Sequence, residues 1–162
     1  MTPALQSTLT QIATAAVATE RKTGLPAELT AAQCIFESGW LNYAPGNNCF
    51  GIKADGHGTA NPPTQTLDTF EYIKGVKTPT TAEFAAYATI QDCFDDYARL
   101  LTDPSGPYAQ AWAAYQQNHD LELFIIHVGA IYSTTPGYGV RLMQEIRSQS
   151  FTSALAAARA AT

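Results

Sequence analysis

A chain of 162 residues, 46% of them hydrophobic and only 14% charged, carries enough apolar material for one folded domain with a real core. The charges are spread without runs, which excludes a disordered or fibrous chain. A net charge of −5 with no basic cluster excludes nucleic-acid binding driven by phosphate contacts.

In chain order, Thr2 suits an N-cap and Pro3 the first helical position. Leu5, Leu9, Ile12, Ala13, Ala16 and Val17 then recur at helical spacing, and Gly24 stands just past the end, so a helix is expected over residues 3–23. The same stretch has no basic n-region and no continuous apolar h-region, so no ordinary export signal is expected. A second helix from residue 26 carries Leu29, Ala32, Gln33 and Phe36 on one expected buried stripe. Glu37 falls at the edge of that stripe in the last turn, where Ser38 and Gly39 signal a stop.

Residues 41–63 are rich in Gly, Asn and Pro and are expected to be irregular, with one short strand near residues 50–53. Between residues 64 and 87 the period changes to two, with Lys74 and Gly75 as a tight turn, which predicts a β-hairpin. Thr89 followed by Asp92 signals a capped helix with Ile90, Phe94, Tyr97, Ala98 and Leu101 inward. Residues 103–106 read as a turn, and further helices are expected at 108–117, 121–132, 138–147 and 151–160. The fold class is therefore α+β, mainly α, a helical domain over residues 1–162 with a small β-hairpin lobe after the second helix. The longest apolar run, residues 121–131, contains Glu122 and His127 and is too short to cross a bilayer, so membrane insertion is not expected.

The chemistry concentrates at Glu37. A carboxyl at the carbonyl end of a helix sits in a negative potential and holds its proton more tightly than one in water, as a general acid must. Trp40 and Phe50 are candidate apolar walls and flat surfaces for a sugar ring. Glu71, in the first strand of the hairpin, is the candidate second carboxylate of a two-acid glycosidase cleft. Cys34, Cys49 and Cys93 lack a CxxC spacing and read as buried thiols in preference to a disulfide plus one free cysteine. His57, His119 and His127 show no paired ligand spacing, so no metal and no cofactor are expected. Ser38 has no GxSxG setting. Trp112, Tyr115 and Tyr97 are expected in the core, and Asn47 and Asn48 are equally well explained as turn formers.

The segments AAQCIFESGW, NNCFGIK, FEYIKG, AEFAAYATIQDCFDDYARLL and IYSTTPGYGVRLMQEI, from about residue 23 to residue 146, resemble the successive motifs of the bacterial β-N-acetylglucosaminidases of glycoside hydrolase family 73. That family includes cell-wall autolysins and the hydrolase domain of a flagellar rod-assembly protein. The resemblance implies a lysozyme-like domain acting on peptidoglycan glycan strands. It implies Glu37 as general acid, Glu71 as the hairpin acid and Tyr132 as a tyrosine near the reacting sugar. Trp40, Asn48, Phe50 and Tyr138 are the candidate substrate-binding residues. Thr135 stands where the family has an aspartate, Cys49 where it has an apolar residue, and residues 55–63 depart from the usual pattern.

The expected activity is endo-β-N-acetylglucosaminidase, with water activated by Glu71 or the substrate's own 2-acetamido group as the attacking species. A muramidase or lytic transglycosylase is the enzymatic alternative, and a non-catalytic wall-binding or assembly module the other. Without an export signal, delivery by phage lysis, as an endolysin, or by a dedicated secretion route is expected. The oligomeric state is open, with a monomer favoured.

Overall fold

A computed structural model describes residues 1–54, 62–73, 76–133 and 135–161, with the backbone alone described for residues 71–73. The Lys74 and Gly75 turn, His57 and the departing segment 55–61 lie outside the described residues. Seven α-helices and one antiparallel hairpin make up the described fold, in the order α1 (Pro3–Thr23), α2 (Ala27–Ser38), β1 (Thr64–Ile73), β2 (Val76–Ala85), α3 (Ile90–Thr102), α4 (Ala109–Asn118), α5 (Leu121–Tyr132), α6 (Tyr138–Ile146) and α7 (Gln149–Ala160). The helices and the hairpin follow the sequence expectation in order and type, with ends that differ by one or two residues, whereas the stretch expected to be irregular also holds a short 3-10 helix (Pro45–Asn47).

Local chemistry accounts for these boundaries. The Thr2 hydroxyl accepts the Leu5 N–H at the start of α1, and the Gly24 N–H, in left-handed conformation, closes its end on the Glu20 carbonyl. At α3, Thr89 and Asp92 form a reciprocal capping box. Helix α2 is the axis of the molecule. From Ala27 to Ile35 it is buried almost all round, with α1 on one side and α6 on another. A helix buried all round has no single apolar stripe, and this corrects the expectation for Phe36. The helix emerges from the core after Ile35, and Phe36 is 38% exposed, its ring edge-on to Tyr138 at 6.3 Å.

The hairpin runs in simple register from Thr64 opposite Ala85 to Ile73 opposite Val76. Two strands alone are marginal in water, so the base of the lobe must be tied to the body. Lys53 bridges Phe84, the Ala54 N–H reaches the Glu83 carbonyl and the Ala85 N–H reaches the Ile52 carbonyl. The short strand expected near residues 50–53 is reduced to this tie, a single bridge at Lys53 with flanking backbone hydrogen bonds. Trp112, Tyr115 and Phe124 stack together against the core, and Tyr97 is fully buried, both as expected. All three cysteines are buried free thiols, and Cys49 thereby fills the apolar position that the resemblance assigns to it.

No helix among the described residues is long and apolar enough to cross a membrane.

Candidate active site

Helix α2 delivers Glu37 to the surface and then turns sharply. Gly39, Trp40 and Leu41 are all left-handed, at φ 56°, 64° and 61°. Two of these are not glycine, and left-handed backbone costs such residues roughly 1–2 kcal/mol each, so something must hold the turn. Ser38 does so. It is buried, its hydroxyl donates to the Cys34 carbonyl at 2.5 Å, and the same oxygen accepts the Leu41 N–H at 2.9 Å. The ESGW stretch thus presents an acid and then folds the chain away from it.

Glu37 borders two hollows. One, of about 130 Å³, lies toward the hairpin, where Tyr43, Gly51, Leu67, Asp68, Thr69 and Phe84 line it. The other, of about 300 Å³, runs past Gly51, Lys53, Leu100, Pro107, Tyr108 and Tyr132. The second reaches the lower end of the range of small-ligand sites and the first is smaller, and Gly51, in left-handed conformation, is shared by the two. The acid therefore stands where the hollows meet, with a binding surface on either side.

A cluster of aromatic side chains holds Glu37. The Tyr138 hydroxyl, from the first turn of α6, donates to Glu37 Oε1 at 2.5 Å. Tyr138 stacks on Tyr132 at 6.1 Å, and Tyr132 packs edge-on against Tyr97. Burial of the Glu37 carboxyl raises its pKa above the ordinary glutamate value, and the Tyr138 hydrogen bond opposes part of that rise. The residue as a whole is nonetheless exposed and lines both hollows. The rise is thus the property of a partly desolvated group. Burial, reinforced by the nearby Glu37 charge, pushes the phenols of Tyr132 and Tyr138 well up, so both remain neutral donors over any working pH.

Several expectations for the surrounding residues are corrected. Phe50 is 1% exposed and stacked on Tyr97 at 4.0 Å, so its ring is a core element and no platform for a sugar. Its carbonyl accepts the Tyr132 hydroxyl, and the residue borders the second hollow. Phe50→Ala is therefore expected to cost on the order of 3–5 kcal/mol of stability, read as a large drop in melting temperature. A stable variant with weakened glycan binding would restore the platform role.

Asn48 borders the hairpin-side hollow, but its amide hydrogens go to the Ile52 and Ala85 carbonyls and its oxygen accepts the Ile52 N–H. With both amide hydrogens engaged, it ties the loop to the hairpin base and has no side-chain N–H left for substrate. Trp40 is carried off by the left-handed turn to pack half-buried against the core, and it is not among the described lining of either hollow. Tyr132 does line the site, yet its hydroxyl hydrogen is given to Phe50, which makes Tyr138 the tyrosine that touches the acid.

Glu71 sits in β1 opposite Thr78, two residues beyond Thr69, and its side chain lies outside the described part of the structure. Asp68, which sequence reasoning passed over, is the described hairpin carboxylate that shares a hollow with Glu37. Gln33 was also passed over as chemistry, although a polar residue on an otherwise apolar stripe was a visible signal. A separate hollow near Asp92, Asp95 and Asp96 offers no free acid, since Thr89, Lys22, Tyr87 and Arg99 already engage the three carboxylates. Among the described residues no group of His, Cys, Asp and Glu is placed to hold a metal ion.

This arrangement, a partly desolvated acid at a helix end between two hollows and facing a hairpin, accompanies a match of residues 13–150 to the family described as mannosyl-glycoprotein endo-β-N-acetylglucosaminidase. The chain belongs to this glucosaminidase family. Among curated relatives it is 36% identical over 129 residues to the peptidoglycan hydrolase FlgJ of Vibrio parahaemolyticus, covering 75% of this chain and 40% of that protein. It is 31% identical over 138 residues to an autolysin of Enterococcus faecalis, covering 79% and 18%. The chain thus spans less than half the length of these relatives. The catalytic domain of the autolysin Auto from Listeria monocytogenes superposes with a TM-score of 0.78 at 28% identity, covering 95% of this chain and 89% of that one. The glycoside hydrolase domain of Salmonella typhimurium FlgJ, in a C-terminally truncated form, gives 0.68 at 26% identity, covering 88% and 95%. The fold is that of the lysozyme-like domains of glycoside hydrolase family 73.

Proposed function

We propose that this glucosaminidase-family chain hydrolyses the β-1,4 bond that follows N-acetylglucosamine in peptidoglycan glycan strands, with Glu37 as the general acid. The observation that carries this reading is Glu37 itself, its pKa raised by burial and its Oε1 held by Tyr138 at the meeting point of the two hollows. A glycan strand laid through both hollows brings one glycosidic oxygen to the acid. Glu37 protonates that oxygen as the bond breaks and charge develops on the sugar ring. Glu71 serves the attacking group, either water or the 2-acetamido oxygen of the N-acetylglucosamine residue. Tyr138 supports the carboxylate left after proton transfer, and Tyr132 orders the loop at Phe50 beneath the reacting sugar. Neither step calls for a metal or an organic cofactor.

Turnover needs Glu37 protonated, so it should be present below the Glu37 pKa and decline as pH rises through that raised value. A pH–rate profile on purified murein checks the sign: a limb at ordinary carboxylate pH, or none, would contradict it. The bond itself is tested by mass spectrometry of digested murein. New reducing ends on N-acetylglucosamine are expected, whereas N-acetylmuramic acid or its anhydro form at the ends would make the chain a muramidase or lytic transglycosylase. Absence of products from an intact, folded protein would make it a wall-binding module.

A further inference from the structure

Behind Glu37 lies a buried polar chain that the reaction as described does not use. Gln33, one helical turn before Glu37 on α2, is fully buried, as is Tyr97 of α3. The Tyr97 hydroxyl donates to Gln33 Oε1, Gln33 Nε2 donates to the Tyr138 oxygen at 3.4 Å, and Tyr138 donates to Glu37 Oε1. All three donors run in one direction and end at the acid. Without an anchor a buried amide can turn over, presenting its oxygen to Tyr138 and drawing that hydroxyl away from Glu37. With Tyr97 on the amide oxygen, the Tyr138 oxygen is an acceptor of Gln33, and its hydrogen has one destination.

We propose that Gln33 is a positioning residue for the reaction: anchored by Tyr97, it fixes the direction of the Tyr138 hydroxyl and so assigns the proton of neutral Glu37 to Oε2. Oε1, already accepting from Tyr138, is the poorer place for that proton, and Oε2 becomes the atom that delivers it to the glycosidic oxygen. The inference rests on the reading of Glu37 as general acid. The ionisable groups facing Glu37 are Tyr138 of α6, Tyr132 of α5 and Tyr97 of α3, together with Tyr108, Tyr43, Lys53 and Asp68 around the two hollows. Of these, Tyr138 donates to the carboxylate and is itself bonded to Gln33, so a change at Gln33 reaches the acid through Tyr138.

The test is a set of pH–rate profiles on purified murein for Gln33→Met, Tyr97→Phe, Tyr138→Phe and the Gln33→Met, Tyr138→Phe double variant, with melting temperatures and a Glu37→Gln control. Gln33→Met keeps the volume and removes both hydrogen bonds. It should lower turnover roughly twofold to tenfold, the worth of one hydrogen bond, and move the alkaline limb to higher pH because ionised Glu37 loses support. Tyr97→Phe leaves Gln33 in place but unanchored, and should move the limb the same way by less; it also keeps the test alive if Gln33→Met does not fold. In the Tyr138→Phe background Gln33→Met should move the limb no further. A limb unmoved in every folded variant, or moved equally with and without Tyr138, overturns the inference, since a merely structural Gln33 changes melting alone. Full activity in the Glu37→Gln control would instead remove the general-acid reading.

Discussion

Glu37→Gln should fold as the parent does and lose hydrolysis by on the order of 100-fold to 10,000-fold, the usual worth of general acid catalysis. The amide keeps the shape, and its oxygen still accepts from Tyr138, but it has no proton to give. Stability adds a second, independent readout. A carboxyl whose folded pKa lies above its unfolded value binds more protons in the folded state, so stability falls as pH rises from the unfolded pKa through the folded one. Above that window the folded protein carries the cost of a desolvated charge, and the amide removes it. At neutral pH the melting temperature of the variant should equal or slightly exceed that of the parent, and below the ordinary glutamate range the difference should vanish. An inactive variant that also melts well below the parent at neutral pH would point to a structural role for Glu37.

Glu71→Gln is the second large effect. Leu67, Asp68 and Thr69 line the hollow shared with Glu37, and Glu71 lies two residues further along β1. If it serves the attacking group it acts in the transition state, so turnover should fall by on the order of 100-fold while the affinity for a chitooligosaccharide or murein fragment is almost unchanged. A glutamate that only shapes the hairpin would leave the kinetics mild and lower the melting temperature instead. Asp68→Asn, made in parallel, decides between the two acids of the strand. Strong loss there with mild loss at Glu71 would transfer the role to Asp68, the carboxylate that shares the described hollow with Glu37.

The elements were legible because their signals are local. Thr2 and Pro3, the Thr89 and Asp92 box and the glycines after α1 and α2 act within a few residues, and a change of period from 3.6 to two is visible in one window. Glu37 was legible for the same reason, since the helix that carries it and the stop that follows it are contiguous. Its partners were not. Tyr138 meets Glu37 across 101 residues and Tyr97 meets Gln33 across 64, and no periodicity reports such contacts. Phe50 misled because an aromatic in a Gly- and Asn-rich loop looks exposed, whereas Asn48 and Tyr132 fold the loop inward and deliver the ring to Tyr97. Phe36 misled in the opposite sense, because a stripe was read on a helix that is buried all round and surfaces only in its last turn. Trp40 was misplaced by a local left-handed turn, and the other misses are side chains whose place was decided by tertiary packing.

The central claim is that the fold keeps a proton on Glu37, and a carbon-13 titration of its carboxyl in the intact protein measures this directly. The account predicts a midpoint above the ordinary glutamate value that coincides with the alkaline limb of turnover, with that resonance absent in Glu37→Gln. A midpoint at or below the ordinary value of about 4.3, or one unrelated to the limb, would contradict it.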